Sequence, residues 1–146
     1  SRGTGTMCQC FLDYEPHKGE ISGNSHGSMI AMENGIATAY SLNSFQARGT
    51  FFIHPNTEVY AGMVVGQHSK DKDLVINVCR GKKLTNNRAA GKDDAIKLIP
   101  PRIFSLEQAM EYIGEDELLE ITPDHIRLRK KILHHTDRKR HEYAEP

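Results

Sequence analysis

Short runs of alternating apolar residues, broken at close intervals by glycine and by Asp, Asn or Lys turns, narrow the fold of this chain more than any other feature. A period of two points successive side chains to opposite faces, so each run reads as a half-buried strand. In Met7–Tyr14, Cys8, Cys10, Leu12 and Tyr14 share one face, and Gln9 and Asp13 lie on the other. Pro16 and Gly19 then break the pattern. Asn34-Gly35 stands between Ser28–Met32 and Ile36–Leu42 and predicts a hairpin, because both central residues of that turn need positive φ. Thr50–His54, Val59–Gln67, Leu74–Cys79, Ala95–Ile99 and Leu118–Ile121 read as further strands. Strands this short and closely spaced predict an α+β fold that is mainly antiparallel β, a small barrel-like sheet. One clear helix is predicted at about 105–114. Ser105 can cap it, Gln108 completes a capping box, and Leu106, Ala109, Met110 and Ile113 form its apolar stripe. Gly114 can end it. A last basic helical turn is expected over Asp137–Tyr143.

The 146 residues suit one domain, or one domain plus a fragment. No apolar run approaches the roughly 18 residues that span a bilayer, and Ser1-Arg2-Gly3-Thr4-Gly5 has no apolar signal core. Without an initiator Met, the chain reads as a piece of a longer protein. Cys8, Cys10 and Cys79 are too few, and odd in number, for a disulfide framework. Reduced thiols in a cytoplasmic protein are expected.

The net charge of zero hides a pattern. Between Arg80 and Arg102 lie seven cations (Arg80, Lys82, Lys83, Arg88, Lys92, Lys97, Arg102) against two anions, a net of +5. Glu107 to Glu120 holds six anions and no Lys or Arg. Asp124 to Arg140 returns to seven cations (Arg127, Arg129, Lys130, Lys131, Arg138, Lys139, Arg140) against two anions. Local charge of this kind can bind nucleic acid even when the whole chain is neutral. Within the second basic block, Ile126, Leu128 and Ile132 alternate with Arg127, Arg129 and Lys131. On a strand this predicts apolar side chains inward and a cationic row outward, fit for phosphates.

Several chemistries fail on spacing. A phosphate cradle for nucleotide hydrolysis needs G-x-x-x-x-G-K-[ST]. Gly81-Lys82-Lys83 and Gly91-Lys92-Asp93 lack both the hydroxyl residue and the upstream glycine. Cys8-x-Cys10 has no second knuckle with which to close a zinc site, and no metal is expected. Cys79 continues an apolar strand and reads as a small buried side chain rather than a nucleophile. No catalytic residue is assigned.

The segment Arg80–Lys92 is the most distinctive. It mixes cations with amides, a hydroxyl, small residues and two glycines, and it is long for a loop of a compact domain. Arg80, Lys82, Lys83, Arg88 and Lys92 are predicted to hold phosphates. Thr85, Asn86 and Asn87 can hydrogen-bond sugars and base edges. The segment has no aromatic residue, so it is expected to grip folded RNA by shape and phosphate rather than by stacking.

At this segment the chain resembles a known family. Gly81-Lys82-Lys83-Leu84-Thr85-Asn86, followed by Arg88-Ala89-Ala90-Gly91, is similar to the signature loop of the BipA/TypA C-terminal domain. So are Gln46-Ala47-Arg48-Gly49, Glu58–Gly66, Pro100-Pro101, Ser105–Ala109, Asp116-Glu117-Leu118, Thr122-Pro123 and Ile126–Lys130. Arg2–Gly5 and Phe11–Tyr14 resemble the end of the preceding elongation-factor-G-like domain V. The resemblance implies residues 1–20 as the last strand of that domain, left without its sheet partners, and 21–146 as the C-terminal domain. It implies a cytoplasmic, ribosome-associated translational GTPase linked to stress adaptation and ribosome assembly, whose G domain would carry GTP and Mg. This segment itself would bind no cofactor and catalyse nothing. Its implied partners are large-subunit rRNA and the acceptor arm of an A-site tRNA, with no membrane, and it is expected to be monomeric.

Two rival classes make different predictions. A protein-interaction module would dock its basic strand on an acidic partner and ignore RNA. A small metal- or thiol-dependent enzyme would carry bound metal or a reactive Cys79.

Overall fold

A computed structural model describes residues 5–6, 8–17, 19, 26–81 and 97–144. Its strands are β1 (Ser28–Ala31), β2 (Gly35–Ile36), β3 (Gly49–Phe51), β4 (Glu58–Val59), β5 (Met63–His68), β6 (Leu74–Ile76), β7 (Glu117–Ile121) and β8 (Ile126–Lys130). Three helices accompany them: α1 (Ala39–Phe45), α2 (Leu106–Tyr112) and α3 (His135–Ala144). The α+β class, the dominance of antiparallel pairing and the predicted helix all hold. The sheet, however, runs β6-β1-β5-β8-β7 with β3 added alongside β5, and it stays open rather than closing into a barrel. One pair, β1 with β6, is parallel.

β5 organises the sheet. It pairs β1 along one side, and shares its other side between β3 and β8. Its period-two alternation divides the interior. Met63 and Val65 enter a core with Met29, Ala31, Leu42, Phe51 and Val78. Val64 turns to the opposite face and packs with Leu128 and Ala109 of α2. Each such aliphatic side chain contributes about 1.5–3 kcal/mol by leaving water. Phe52, Phe104 and Tyr112 stack around the second core, with ring centroids 4.4–5.3 Å apart.

α2 forms where its capping box predicts. The Ser105 hydroxyl accepts from the Gln108 N–H at 3.3 Å, and the Gln108 side chain accepts from the Ser105 N–H at 3.1 Å. Ser105→Ala should therefore cost about 1 kcal/mol, read as a lowered urea midpoint with an unchanged m-value. An unshifted midpoint would count against the cap.

Three sequence expectations fail. Asn34-Gly35 does not join a hairpin: β2 pairs with β4 in a separate two-stranded ribbon. The Asn34 side chain instead accepts from the Ala61 N–H at 2.8 Å, fixing the turn to a distant segment. The predicted second hairpin strand is mostly α1, because the Thr38 side chain accepts from the Ser41 N–H and caps a helix there. The N-terminal run carries no strand over 8–14, and Phe11, Leu12 and Tyr14 are 75–89% exposed. A lone alternating run has no ladder to join, and its backbone gains nothing from extension. The predicted strand at Ala95–Ile99 starts outside the described residues, and Lys97–Ile99 are not in a strand. No helix among the described residues is long and apolar enough to cross a membrane.

Candidate nucleic-acid interface

The basic loop departs from, and returns to, one element. At its first end the Arg80 carbonyl accepts two side-chain hydroxyls, from Thr38 at 2.7 Å and Ser41 at 2.8 Å. At its far end the Gln46 amide donates to the Lys97 carbonyl at 3.0 Å and accepts from the Ile99 N–H at 3.1 Å. Thr38 and Ser41 sit at the start of α1, and Gln46 lies just past its end. α1 therefore bridges both roots of the loop, while Leu42 anchors the helix in the core. Each neutral hydrogen bond adds about 0.5–1.5 kcal/mol. Together the four fix where the loop leaves the scaffold. Of the predicted phosphate ligands only Arg80 is described here, with an exposed side chain. Lys82, Lys83, Thr85, Asn86, Asn87, Arg88 and Lys92 lie outside the described residues.

The cationic row of β8 is only partly as predicted. Leu128 is buried and Arg127 and Arg129 lie on the opposite face. Yet Ile126 is 42% exposed, Arg129 pairs across to β7, and Arg127 lines an open groove. Arg127 stands directly across from Glu120 in the antiparallel register. Arg129 Nε pairs with Glu120 Oε1 at 2.9 Å. The other oxygen of Glu120 accepts from the Tyr60 hydroxyl at 2.7 Å, and burial together with that carboxylate pushes the Tyr60 phenol well above its ordinary range. A half-exposed pair of this kind contributes little, about 0.2–1 kcal/mol, but it removes Arg129 from the cations available to a partner. Lys131 follows the strand and is exposed.

Lys130 is the residue that the alternation missed. It is 1% exposed, and its Nζ meets Asp73, Asp116 and Glu117 at 2.6, 2.7 and 3.1 Å. Burial alone would lower its pKa, but the surrounding carboxylates outweigh that and hold it above the ordinary lysine range. Glu117 also accepts from the Ser28 hydroxyl at 2.7 Å and from the Gly114 N–H at 3.1 Å. Ser28 Oγ lies 2.9 Å from the Tyr112 hydroxyl, which burial pushes up to about 12. The network ties β1, β7, β8, α2 and the turn before β6 together, and every buried side-chain polar atom among the described residues has a partner. A signal for it was present. Arg129-Lys130-Lys131 on a strand cannot all point outward, and the one turned inward needs carboxylates, which Asp116-Glu117 supply. Asp73, distant in sequence, gives no such signal.

An open groove of about 840 Å³ lies between Phe52–Glu58 and the β7–β8 turn, lined among others by His54, His125 and Arg127 and by Ile103, Ile121 and Ile126. Beside it the Arg102 guanidinium stands 4.8 Å above the Phe104 ring. No group of three or more His, Cys, Asp or Glu among the described residues could hold a metal ion. Cys79 is half-buried, and burial with the nearby Glu33 charge raises its thiol pKa, the opposite of an activated nucleophile.

Comparison with known proteins shows the family. Residues 26–135 match the family model of the TypA/BipA C-terminal domain. Curated relatives named large ribosomal subunit assembly factor BipA are similar along most of the chain. The relative from Synechocystis is 48% identical over 130 residues, covering 89% of the chain and 22% of the relative. That from Bacillus subtilis is 45% identical over 141 residues (96% and 23%), and that from Haemophilus influenzae is 50% identical over 139 residues (94% and 23%). The chain thus spans less than a quarter of the length of these relatives.

Proposed function

The chain belongs to the TypA/BipA C-terminal domain family, and from that premise we propose that it is the ribosome- and RNA-binding module of a translational GTPase that acts in assembly of the large ribosomal subunit and in stress adaptation. Residues 21–146 are the module, and residues 1–20 end the domain before it. GTP and Mg belong to a G domain elsewhere in the parent protein, so this segment contributes recognition and not hydrolysis.

One observation carries the reading. The segment Arg80–Lys92 carries five cations and no anion, and the described residues at its two ends, Arg80 and Lys97–Ile99, are fixed to α1 by Thr38, Ser41 and Gln46. Core-anchored roots under a cationic, amide-rich loop suit a rigid scaffold that presents a phosphate-binding element. In this reading Arg80, Lys82, Lys83, Arg88 and Lys92 hold phosphates of large-subunit RNA and of the A-site tRNA acceptor arm. Thr85, Asn86 and Asn87 reach sugars and base edges. The relatives' name, large ribosomal subunit assembly factor, supports the choice of partner.

The test is co-sedimentation with separated ribosomal subunits across a salt series. Pelleting with the large subunit should fall steeply as salt rises. Lys82→Ala, Lys83→Ala and Arg88→Ala combined should weaken binding at least tenfold and lower the slope of log K against log salt by about 2–3. An unchanged slope would remove the loop from the interface. Binding to a purified acidic protein with indifference to RNA would replace the reading by the protein-docking alternative.

A further inference from the structure

α3 is a ten-residue helix with no buried residue. A helix polar on every face gains almost nothing from packing, and one this short is not stable by itself in water. It is held by Arg138, its only described residue that is not exposed. Arg138 Nη1 donates to the carbonyls of Ile132 and Leu133 at 2.8 and 2.7 Å. Burial pulls the pKa of this guanidinium down, while the charges of Asp73 and Asp116 draw it toward the domain.

At about 100° per residue, Thr136, Lys139, Arg140 and Tyr143 fall on the side away from Arg138. Tyr143 is 87% exposed. Lys139 has no ion-pair partner among the described residues, and Arg140 meets Asp137 only at 3.8 Å with its side chain 84% exposed. The other cations of the second basic block are engaged internally, except Lys131 and Arg127, which has no ion-pair partner among the described residues and lines the open groove. Lys130 is enclosed by carboxylates, Arg129 is paired, and Arg138 holds the helix. What remains open is a face with two cations, the Asp137 carboxylate beside Arg140, a hydroxyl and a solvated aromatic ring.

We propose that this outer face of α3 binds a single-stranded RNA segment, with Lys139 and Arg140 on phosphates and Tyr143 stacked on an unpaired base. The proposal rests on the reading of the chain as an RNA-binding module. The ring is what selects RNA. Every unpaired base offers a π-face to stack on it, with the phosphates of the same strand for the cations beside it. It also supplies what the loop lacks, since Arg80–Lys92 holds no aromatic residue.

The experiment titrates the full chain with a fluorescein-labelled oligouridylate and, separately, with a duplex RNA of the same length, by anisotropy over a salt series. Tyr143→Ala should weaken oligouridylate binding about tenfold at every salt and leave the salt slope alone, while Tyr143→Phe retains binding. Lys139→Gln with Arg140→Gln should lower the slope by about 1.4. Circular dichroism confirms that each variant keeps its helix content. Duplex binding should ignore Tyr143→Ala, and an equal loss on duplex would overturn the stacking assignment. Unchanged binding by both α3 variants, while the loop triple variant loses affinity, would overturn this site and leave the loop standing. No binding of either RNA by the unsubstituted chain would overturn both.

Discussion

Replacing Lys130 with methionine is expected to cost about 3–5 kcal/mol of unfolding free energy at neutral pH, a fall in midpoint temperature on the order of 10 °C for a chain of this length. The cost comes from what is left behind. Glu117 is 6% exposed, and without Lys130 its carboxylate keeps only the hydrogen bonds from Ser28 and Gly114. A buried charge stripped of its counter-ion costs far more than the pair was worth. Replacing both, Lys130→Met with Glu117→Leu, should recover much of the loss, because the stranded charge goes with its partner. The two variants thus separate net pair strength from desolvation. The pH dependence follows from the raised folded pKa of Lys130, in which carboxylate contacts overcome the lowering by burial. Its contribution is complete at neutral pH and is lost only as pH rises through that raised value, above the ordinary lysine range. Urea unfolding of both variants at pH 7 reads the cost and its recovery, and of the unsubstituted chain a stability that Lys130 does not lose up to the ordinary lysine range. A single variant that costs less than 1 kcal/mol would mean that water reaches the cluster.

The same cluster shows where sequence reading stops. α2 was legible because its capping box is local: Ser105 and Gln108 lie three residues apart and need nothing else. β8 was legible because its alternation turns Leu128 and Lys130 to one buried face, and β5 and β7 because they are short apolar runs between turn residues. The hairpin at Asn34-Gly35 was misread because neither residue takes the positive φ that such a turn needs, and the strand partner is not the next run. Val59 and Glu58 of β4 take that place. The α1 start was present as Thr38 with Ser41 three residues on, but without an apolar stripe at helical spacing it lost to the period-two pattern. For the interface, the sequence located the two basic blocks but not their fate. Charges that alternate along β8 look equally available. Only tertiary contacts with Glu120, Asp73 and residues of α2–β7 decide which of them are already spent on the fold. Net neutrality is the sum of this sorting. The acidic block of 107–120 pairs with part of the second basic block, while Lys139 and Arg140 on the outer face of α3 stay exposed.

Gly62→Ala is the second large effect expected, about 3 kcal/mol of destabilisation from two sources that cannot relieve each other. Gly62 has φ +88, a conformation in which a side chain costs about 1–2 kcal/mol. A Cβ there would also stand 2.6 Å from the Leu133 Cα and 2.7 Å from its carbonyl oxygen, backbone atoms that cannot rotate away. Nor can Gly62 itself retreat, since its N–H donates to the Ala31 carbonyl at 3.0 Å and its own carbonyl accepts from the Lys130 N–H at 2.9 Å. The segment around Leu133 must move instead. That segment supplies the carbonyls on which Arg138 holds α3. The substitution should therefore loosen α3 beyond what global stability predicts. Its amides should lose hydrogen-exchange protection, and oligouridylate affinity should fall under conditions where the core remains folded. Gly114→Ala is the control, because a Cβ at Gly114 meets only the Asp116 carboxylate oxygen, at 3.4 Å, and it should leave both readings unchanged. Full exchange protection in α3 of Gly62→Ala would show that the helix is held by more than Arg138, and would detach its position from the turn that leads into β5.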